Sequence, residues 1–345
     1  PSALEVSFRI AGREPEIWDA ETGVRTPAAV WREEGGRTVV RVPFDVCGSK
    51  FVVFRRPASA RHLASVSVKA RPIPPPAALA QGAPVFLSAD YGTKEKTADI
   101  TGILNRAASK GFVDETVGND LAGGDPVPMQ IKRLKATYVY RGLTNRLDVG
   151  EGQRITIPAW ARFDESVPPL DFAPDADGRM RPWAWKPLEA TLVGSDGVTR
   201  KASAAVPEPM ILTGPWEVSF PNGFLPDALA KGTEEKVVFD ELVSWIDRAE
   251  EGVRYFSGSA TYRKRVCLPA GTPKGARIVL DLGEVREVAE VTVNGRTFDA
   301  LWRPPFRVDI TEAAADGVLD LSIRVANLWA NRLIGDDRMY APDCE

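Results

Sequence analysis

Strict alternation of apolar and polar residues most constrains the fold of this 345-residue chain. In the run LDLSIRVAN, residues 319–327, Leu319, Leu321, Ile323 and Val325 fall on one face of an extended strand. The run RIVLDLGEV, residues 277–285, repeats the pattern, and helical periodicity is weak throughout. A period of two predicts half-buried strands. With glycine and proline spread between the runs as turn residues, the sequence predicts an all-β chain of serial β-sandwich or jelly-roll domains.

A tight hairpin is predicted at Asn294-Gly295, between the runs VTV and RTF, because both residues tolerate the positive φ of a type I′ turn. A loop with Trp302, Arg303 and two prolines follows, before the motif Asp-Ile-Thr at 309–311. Such a loop either plugs the end of a sandwich or contacts a ligand, and the sequence leaves both readings open.

The predicted organisation is three β-rich domains. Five prolines between Arg71 and Pro84 favour extended backbone and predict a linker at 73–83. A second break falls within Ala204–Phe220. The domains are therefore predicted at 1–72, 84–206 and 207–345, with short helical turns near Ile103–Ser109 and Leu225–Lys231.

The second and third domains share a weak internal repeat. Residues 99–119 and 309–327 each begin with Asp-Ile-Thr, continue to a glycine, and end an apolar run with asparagine. Asp and Thr side chains can bond nearby backbone amides where a strand ends. Two jelly rolls in series would produce this pattern, and chance similarity is the alternative.

Composition and chain ends exclude several partners. The net charge of −3 gives no electrostatic case for nucleic acid, and no apolar run approaches the roughly 20 residues that a membrane span needs. The first residues lack the basic region and apolar core of a signal peptide. Both ends resemble interrupted sequence, so we expect a piece of a longer protein, with neither a nucleic-acid nor a membrane partner.

Nucleophilic and metal chemistry have little support. The one histidine, His62, is in a solvated context, and no G-x-S-x-G elbow or phosphate-binding loop exists. The cysteines Cys47, Cys267 and Cys344 have neither metal-ligand spacing nor a disulfide framework. We expect no cofactor, although calcium is possible at acidic loops.

Paired carboxylates are harder to exclude, because the chain has 47 acidic residues. The acidic runs at 247–252 and 334–345, the second of which holds Asp336, favour solvated loops over a catalytic site. Aromatic and arginine residues are more suggestive, since sugar rings stack on flat aromatic faces and their hydroxyls bind guanidinium and amide groups. The candidates for contact with carbohydrate are Trp302, Arg303, Trp329, Asn331, Arg332 and Asp336. Trp216, at a strand start, favours a structural role.

Several motifs occur together in a fixed order. They are GPWEVSFP, YFSGSATYRKRVCLP, LDLGEVREVAEVTVNGRTFDALWRPPFRVDIT and NLWANRLIGD. With VSFRIAGREPEIWDAETG, SKFVVFRR and GGDPVPMQIKRLKATY further upstream, they resemble the C-terminal part of the family-106 glycoside hydrolases, the α-L-rhamnosidases. The last domain is also similar to the galactose-binding-like jelly roll of β-galactosidase-type enzymes.

The resemblance implies that the catalytic carboxylates lie on a (β/α)₈ barrel that precedes this region, so no catalytic residue is assigned to this chain. It further implies rhamnose-containing glycans and that catalytic barrel as partners, and export by a bacterium to the periplasm or medium. The positions of Trp302, Arg303 and the LWANRLIGD turn would then contact either sugar or barrel. An autonomous carbohydrate-binding module and a purely structural scaffold are the alternatives.

Overall fold

The computed structural model describes residues 2–45, 48–59, 61–71, 73, 82–140, 143–157, 167–175, 177–221, 235–273 and 275–340. They divide into two compact units, one reaching Met210 and the other running mainly from Ile211. Strands dominate both units, so the predicted all-β fold is confirmed. The predicted helical turn at Leu225–Lys231 and the cysteines Cys47 and Cys344 lie outside the described residues.

The first unit holds seventeen strands within its described residues. They are β1 (Ser2–Phe8), β2 (Arg13–Asp19), β3 (Arg25–Pro27), β4 (Trp31–Glu34), β5 (Arg37–Phe44), β6 (Lys50–Pro57), β7 (Leu63–Ala70), β8 (Val85–Gly92), β9 (Thr97–Asp99), β10 (Val113–Thr116), β11 (Arg133–Tyr140), β12 (Leu143–Gly150), β13 (Arg154–Ile157), β14 (Leu170–Pro174), β15 (Met180–Ala184), β16 (Leu188–Gly194) and β17 (Thr199–Ala204). Its helices are α1 (Thr101–Ala108), which confirms the helical turn predicted there, and α2 (Asn119–Ala122).

Within its described residues, small sheets of this unit pack around three cores. The sheets β1-β5-β4 and β3-β2-β6 share a core with Trp31, Val40 and Val42. The sheet β12-β11-β8-β9, the pair β10-β13 and helix α1 enclose a second core. The sheet β17-β16-β7 and the pair β14-β15 bury a third. Because β7 and β16 pair across the proline-rich segment, the chain on either side of that segment forms one sheet. The finer division into three domains stays a prediction.

The second unit is a sandwich of a six-stranded sheet and a two-stranded sheet, ordered β19-β18-β20-β25-β22-β23 and β21-β24. Its strands are β18 (Trp216–Phe220), β19 (Glu235–Phe239), β20 (Ser259–Cys267), β21 (Val279–Asp281), β22 (Val288–Val293), β23 (Arg296–Thr297), β24 (Arg307–Asp309) and β25 (Val318–Ala326). A 3-10 helix (Trp245–Asp247), α3 (Glu251–Arg254) and α4 (Ala330–Tyr340) complete the described elements. None of the described helices has the length and apolar character that a membrane-spanning helix requires.

In the second unit, the alternation of apolar and polar residues determines which side chains fill the core. In β25, Leu319, Leu321 and Ile323 are buried, whereas Asp320 and Arg324 are exposed. Trp216 is 3% exposed and belongs to this core, so its predicted structural role is confirmed.

The two Asp-Ile-Thr motifs form the same local structure. Asp99 Oδ1 accepts hydrogen bonds from the amide and hydroxyl of Thr101, at 2.8 and 2.5 Å, and Asp309 does the same for Thr311 at 3.0 and 2.5 Å. The threonine hydroxyl in turn accepts an amide from the neighbouring strand, Ala89 in one unit and Ile278 in the other. Each isoleucine between them is 1% exposed. The motif therefore ends a strand and anchors the following turn in both units.

The expected solvated position of His62 is wrong. Its ring stacks on the buried Trp31 with 3.5 Å between ring centroids and 7° between planes. This contact is not evident from the sequence, because Trp31 lies on β4 whereas His62 precedes β7. The two segments meet only in the fold, at the parallel bridge Val30–Leu63. Burial lowers the pKa of His62 below its ordinary value, although the Ser59 carbonyl and the charges of Glu14 and Glu33 favour protonation.

This contact predicts a pH-dependent stability. Below about pH 6.5 the unfolded chain takes up the His62 proton before the folded chain does, so the free energy of unfolding falls as the pH drops. A His62→Phe variant keeps a ring against Trp31 but does not titrate. Urea unfolding at pH 7.5 and 5.0 should show a larger loss in the parent chain than in the variant. Equal losses in both would contradict the assignment.

Candidate functional site

Four segments leave one end of the six-stranded sheet together. Val288, at the start of β22, pairs with Ala326 at the end of β25, and Ser259 at the start of β20 pairs with the same residue. Beside β22, Leu301 bridges Ala289 through two backbone hydrogen bonds of 2.7 and 2.8 Å. The segments 255–258, 284–287, 302–305 and 327–331 therefore emerge at the same end, which we call the Trp302 end.

The loop at this end carries an exposed indole above a buried anchor. Trp302 is 59% exposed, whereas Phe306 is 7% exposed and packs into the core. The Phe306 carbonyl accepts the Leu282 amide at 2.9 Å. At this end of the sandwich, Phe306 therefore fills the core, whereas the Trp302 side chain lies outside it.

Arg303 lies beside the indole. Its guanidinium carbon is 5.9 Å from the centre of the Trp302 ring, and its Nη1 donates to the Pro304 carbonyl at 3.2 Å. An exposed ring flanked by a guanidinium provides both a stacking surface and hydrogen-bond donors.

The predicted turn at LWANRLIGD and residues 334–340 of the predicted solvated loop are instead part of helix α4. Residues 341–345 lie outside the described residues. Arg332 Nε and Asp336 Oδ1 form an ion pair at 2.8 Å, one helical turn apart. The Arg332 amide also donates to Ser257 Oγ at 2.9 Å. A Cβ at Gly335 would lie 2.7 Å from the Tyr255 Cβ, so the helix rests directly on that residue. This helix is stabilised by packing against residues about eighty positions earlier. Such tertiary contacts cannot be recognised from the local sequence.

Trp329 precedes α4 and is 78% exposed. Leu328, Leu333 and Ile334 continue the exposed apolar surface, and each is more than half exposed. Asn331 and Arg332 are half-buried. Among the described residues no hydrogen bond or ring contact joins Trp302 to Trp329, so the end offers two aromatic contact points on separate segments.

Sequence reasoning missed the residues that support this end. Asn327 Oδ1 accepts the Gly258 amide and its Nδ2 donates to the Phe256 carbonyl, both at 2.9 Å. Tyr255 accepts a hydrogen bond from Arg338 at 2.7 Å. The one available signal was Asn327 as the last residue of the internal repeat.

The nearby acidic groups have different environments. Glu284 is paired with Arg286 at 2.6 Å, and Glu250 with Arg248 at 2.6 Å. Partial burial of its carboxyl raises the pKa of Asp247, although the Arg254 charge opposes the rise. Across the part of the chain that the structure describes, no group of three His, Cys, Asp or Glu side chains could hold a metal ion.

Comparison with known proteins finds glycosidases. No family model matches the chain. It is 33% identical over 242 residues to "Putative beta-glucuronidase" from Formosa agariphila, which covers 70% of this chain and 20% of that protein. The chain thus spans about a fifth of the length of this curated relative.

Two solved structures are similar to parts of this chain. The rhamnosidase from Novosphingobium sp. PP1Y is 23% identical, with a TM-score of 0.47, over 97% of this chain and 18% of that chain. The β-glucuronidase from Ruminococcus gnavus is 22% identical, with a TM-score of 0.28, over 34% of this chain and 20% of that chain. By its sequence likeness to the Formosa protein, this all-β chain is glycoside-hydrolase-like.

Proposed function

We propose that this chain is the accessory β-region of a glycoside hydrolase that removes terminal α-L-rhamnose, with the catalytic carboxylates outside this chain. The observation that carries the proposal is the 33% identity, over most of this chain, to a segment of a protein named as a glycosidase. The choice of rhamnosides rests on the order of the sequence motifs, from GPWEVSFP to NLWANRLIGD. Export by a bacterium belongs to the same proposal.

The Trp302 end is the part of the chain proposed to contact carbohydrate. Trp302 and Trp329 expose indole faces that suit the C–H face of a sugar ring. Arg303 and Asn331 supply donors for hydroxyl groups nearby. Aromatic rings as exposed as these bury little surface in the fold, so they contribute little to its stability. They are available for contact with a ligand or another protein surface.

Docking of the same end onto the catalytic barrel of a longer protein is the second candidate function. The observation that favours it is the exposed aliphatic surface of α4, where Leu333 and Ile334 are 61% and 52% exposed. Aliphatic side chains suit a protein interface better than a sugar.

A first experiment tests the absence of chemistry in this chain. The purified chain should not hydrolyse an aryl α-L-rhamnoside or an aryl β-D-glucuronide. Asp247 is the carboxyl to vary, because its raised pKa is the property that a general acid needs. Turnover that is lost in Asp247→Asn would refute an accessory role.

A second experiment tests the Trp302 end. Titration with rhamnose and rhamnose-containing oligosaccharides should change tryptophan fluorescence, and Trp302→Ala should weaken binding about tenfold, the loss of one aromatic contact of about 1.4 kcal/mol. Leu242→Ala is the matched control, because Leu242 is 57% exposed in the same unit. A flat response in the parent chain favours barrel docking, and equal loss in both variants would exclude a specific role for Trp302.

A further inference from the structure

A row of three side chains crosses the outer face of the sheet β3-β2-β6 in the first unit. Trp18 pairs with Arg25 on one side and with Phe51 on the other. Directly paired residues point to the same face of a sheet. The neighbouring residues Ile17 and Val52 pack into the core, so the row Arg25–Trp18–Phe51 faces outward. Together with Glu14, Glu16, Arg55 and Arg56 we call it the Trp18 face.

A β-bulge brings a second guanidinium to this face. The register of β2 and β6 shifts between Glu14 and Pro15, which leaves Arg55 as the extra residue on β6. A bulge re-aims the side chain of its extra residue. The Arg55 guanidinium carbon lies 4.9 Å from the centre of the Trp18 ring, and that of Arg25 lies 4.2 Å away.

A buried carboxylate holds the face together. The side chain of Glu16 is 6% exposed although it points away from the core. Its Oε2 accepts Trp18 Nε1 at 2.9 Å and Arg55 Nη2 at 2.7 Å, and its Oε1 lies 3.4 Å from Arg56 Nε. Burial disfavours ionisation, but these hydrogen bonds and charges outweigh it and keep the pKa of Glu16 below its ordinary value. The Trp18 indole and the Arg55 guanidinium are therefore held in place by Glu16 before any ligand arrives.

The face carries a positive excess on a chain whose net charge is −3. Its guanidinium groups belong to Arg25, Arg55 and Arg56, against the carboxylates of Glu16 and of Glu14, which lies opposite Arg56. Within the described residues, Arg25 contacts the Trp18 ring and takes part in no ion pair. Its donors are free for an anion, and a guanidinium fork matches a carboxylate or sulfate group.

We propose that the Trp18 face binds an anionic saccharide, whose carboxylate or sulfate group pairs with Arg25 while the sugar ring rests on Phe51. Phe51 is 62% exposed, so it offers a flat apolar ring on which a sugar ring can stack. This inference concerns the first unit and does not rest on the proposed function of the Trp302 end.

Nucleic acid is the competing polyanion, and the face suits it less well. Single-stranded nucleic acid binds to successive aromatic rings along a basic groove. The Trp18 ring is already contacted by two guanidinium groups, so Phe51 is the accessible ring of the row. A single ring and a net-acidic chain favour a saccharide.

The test is calorimetric titration of the whole chain with four probes: oligogalacturonate, a chondroitin sulfate oligosaccharide, neutral dextran and single-stranded DNA. Oligogalacturonate or the sulfated probe should bind, dextran should not, and added salt should weaken binding. Arg25→Gln and Phe51→Ala should each weaken binding about tenfold. Arg200→Gln is the matched control, because Arg200 is an exposed arginine of the same unit, on β17.

Each other outcome would overturn the proposal. Absence of binding to both anionic saccharides, equal binding of dextran, or tighter binding of single-stranded DNA would reject an anionic saccharide as the ligand. An equal loss in Arg25→Gln and Arg200→Gln would show non-specific attraction. Thermal unfolding of each variant checks the fold, and Arg25→Lys, which keeps the charge but loses the fork, should bind with intermediate strength. These probes lack rhamnose, so their result is independent of the Trp302→Ala titration.

Discussion

Replacing Gly214 by alanine is expected to destabilise the second unit by about 3 kcal/mol or more, at the upper end of the cost of overpacking. A Cβ at this position would lie 1.7 Å from the carbonyl oxygen of Asp240 and 2.5 Å from its carbonyl carbon. These are backbone atoms, so no side-chain rotation relieves the clash. Relief requires the start of β18 and the end of β19 to separate, which exposes the paired core residues Trp216 and Phe239.

Urea unfolding followed by fluorescence measures this loss, and Gly271→Ala is its matched control. Gly271 belongs to the same unit, and a Cβ there would meet nothing within 4 Å. The control should remain within about 0.5 kcal/mol of the parent chain. A Gly214→Ala chain as stable as the control would show that the two backbones do not approach closely.

Gly214 illustrates what sequence can and cannot reveal. The sequence placed Trp216 at the start of a strand, and WEVSF is indeed strand β18. Such features are local, since a period of two needs only neighbouring residues. The close approach to Asp240 depends on a pairing between residues more than twenty positions apart, which no local pattern encodes.

The candidate site shows the same division. The Asn294-Gly295 hairpin and the loop after it were predictable, because turn chemistry and prolines act locally. That Phe306 and not Trp302 fills the core depends on the backbone pairing of Phe306 with Leu282, more than twenty positions earlier. Helix α4 depends on Tyr255 and Ser257, and the Trp18 face depends on a bulge in β6. Each of these contacts is long-range, so the fold class was predictable and the site geometry was not.

Replacing Asn294 by alanine is expected to destabilise the second unit by about 3 kcal/mol. Asn294 has a φ of 49°, a left-handed conformation that costs alanine about 1 kcal/mol more than asparagine or glycine. Its side chain also makes three hydrogen bonds to the backbone. Nδ2 donates to the carbonyls of Ala313 and Val318 at 2.8 Å each, and Oδ1 accepts the Asp320 amide at 2.7 Å. Three such bonds contribute about 2 kcal/mol together.

Asn294→Gly separates the two contributions, because glycine keeps the left-handed turn but makes none of the side-chain bonds. It should cost about 2 kcal/mol, and the difference from Asn294→Ala should be about 1 kcal/mol. Hydrogen–deuterium exchange supplies a local readout: the segment Val318–Ala326 should exchange faster at its beginning in both variants, because the Asp320 amide loses the Asn294 acceptor. If Asn294→Gly were as stable as the parent chain, the hairpin tip would act through its backbone conformation alone. If the glycine and alanine variants lost the same free energy of unfolding, the missing hydrogen bonds would account for the whole effect. The left-handed backbone conformation would then contribute nothing.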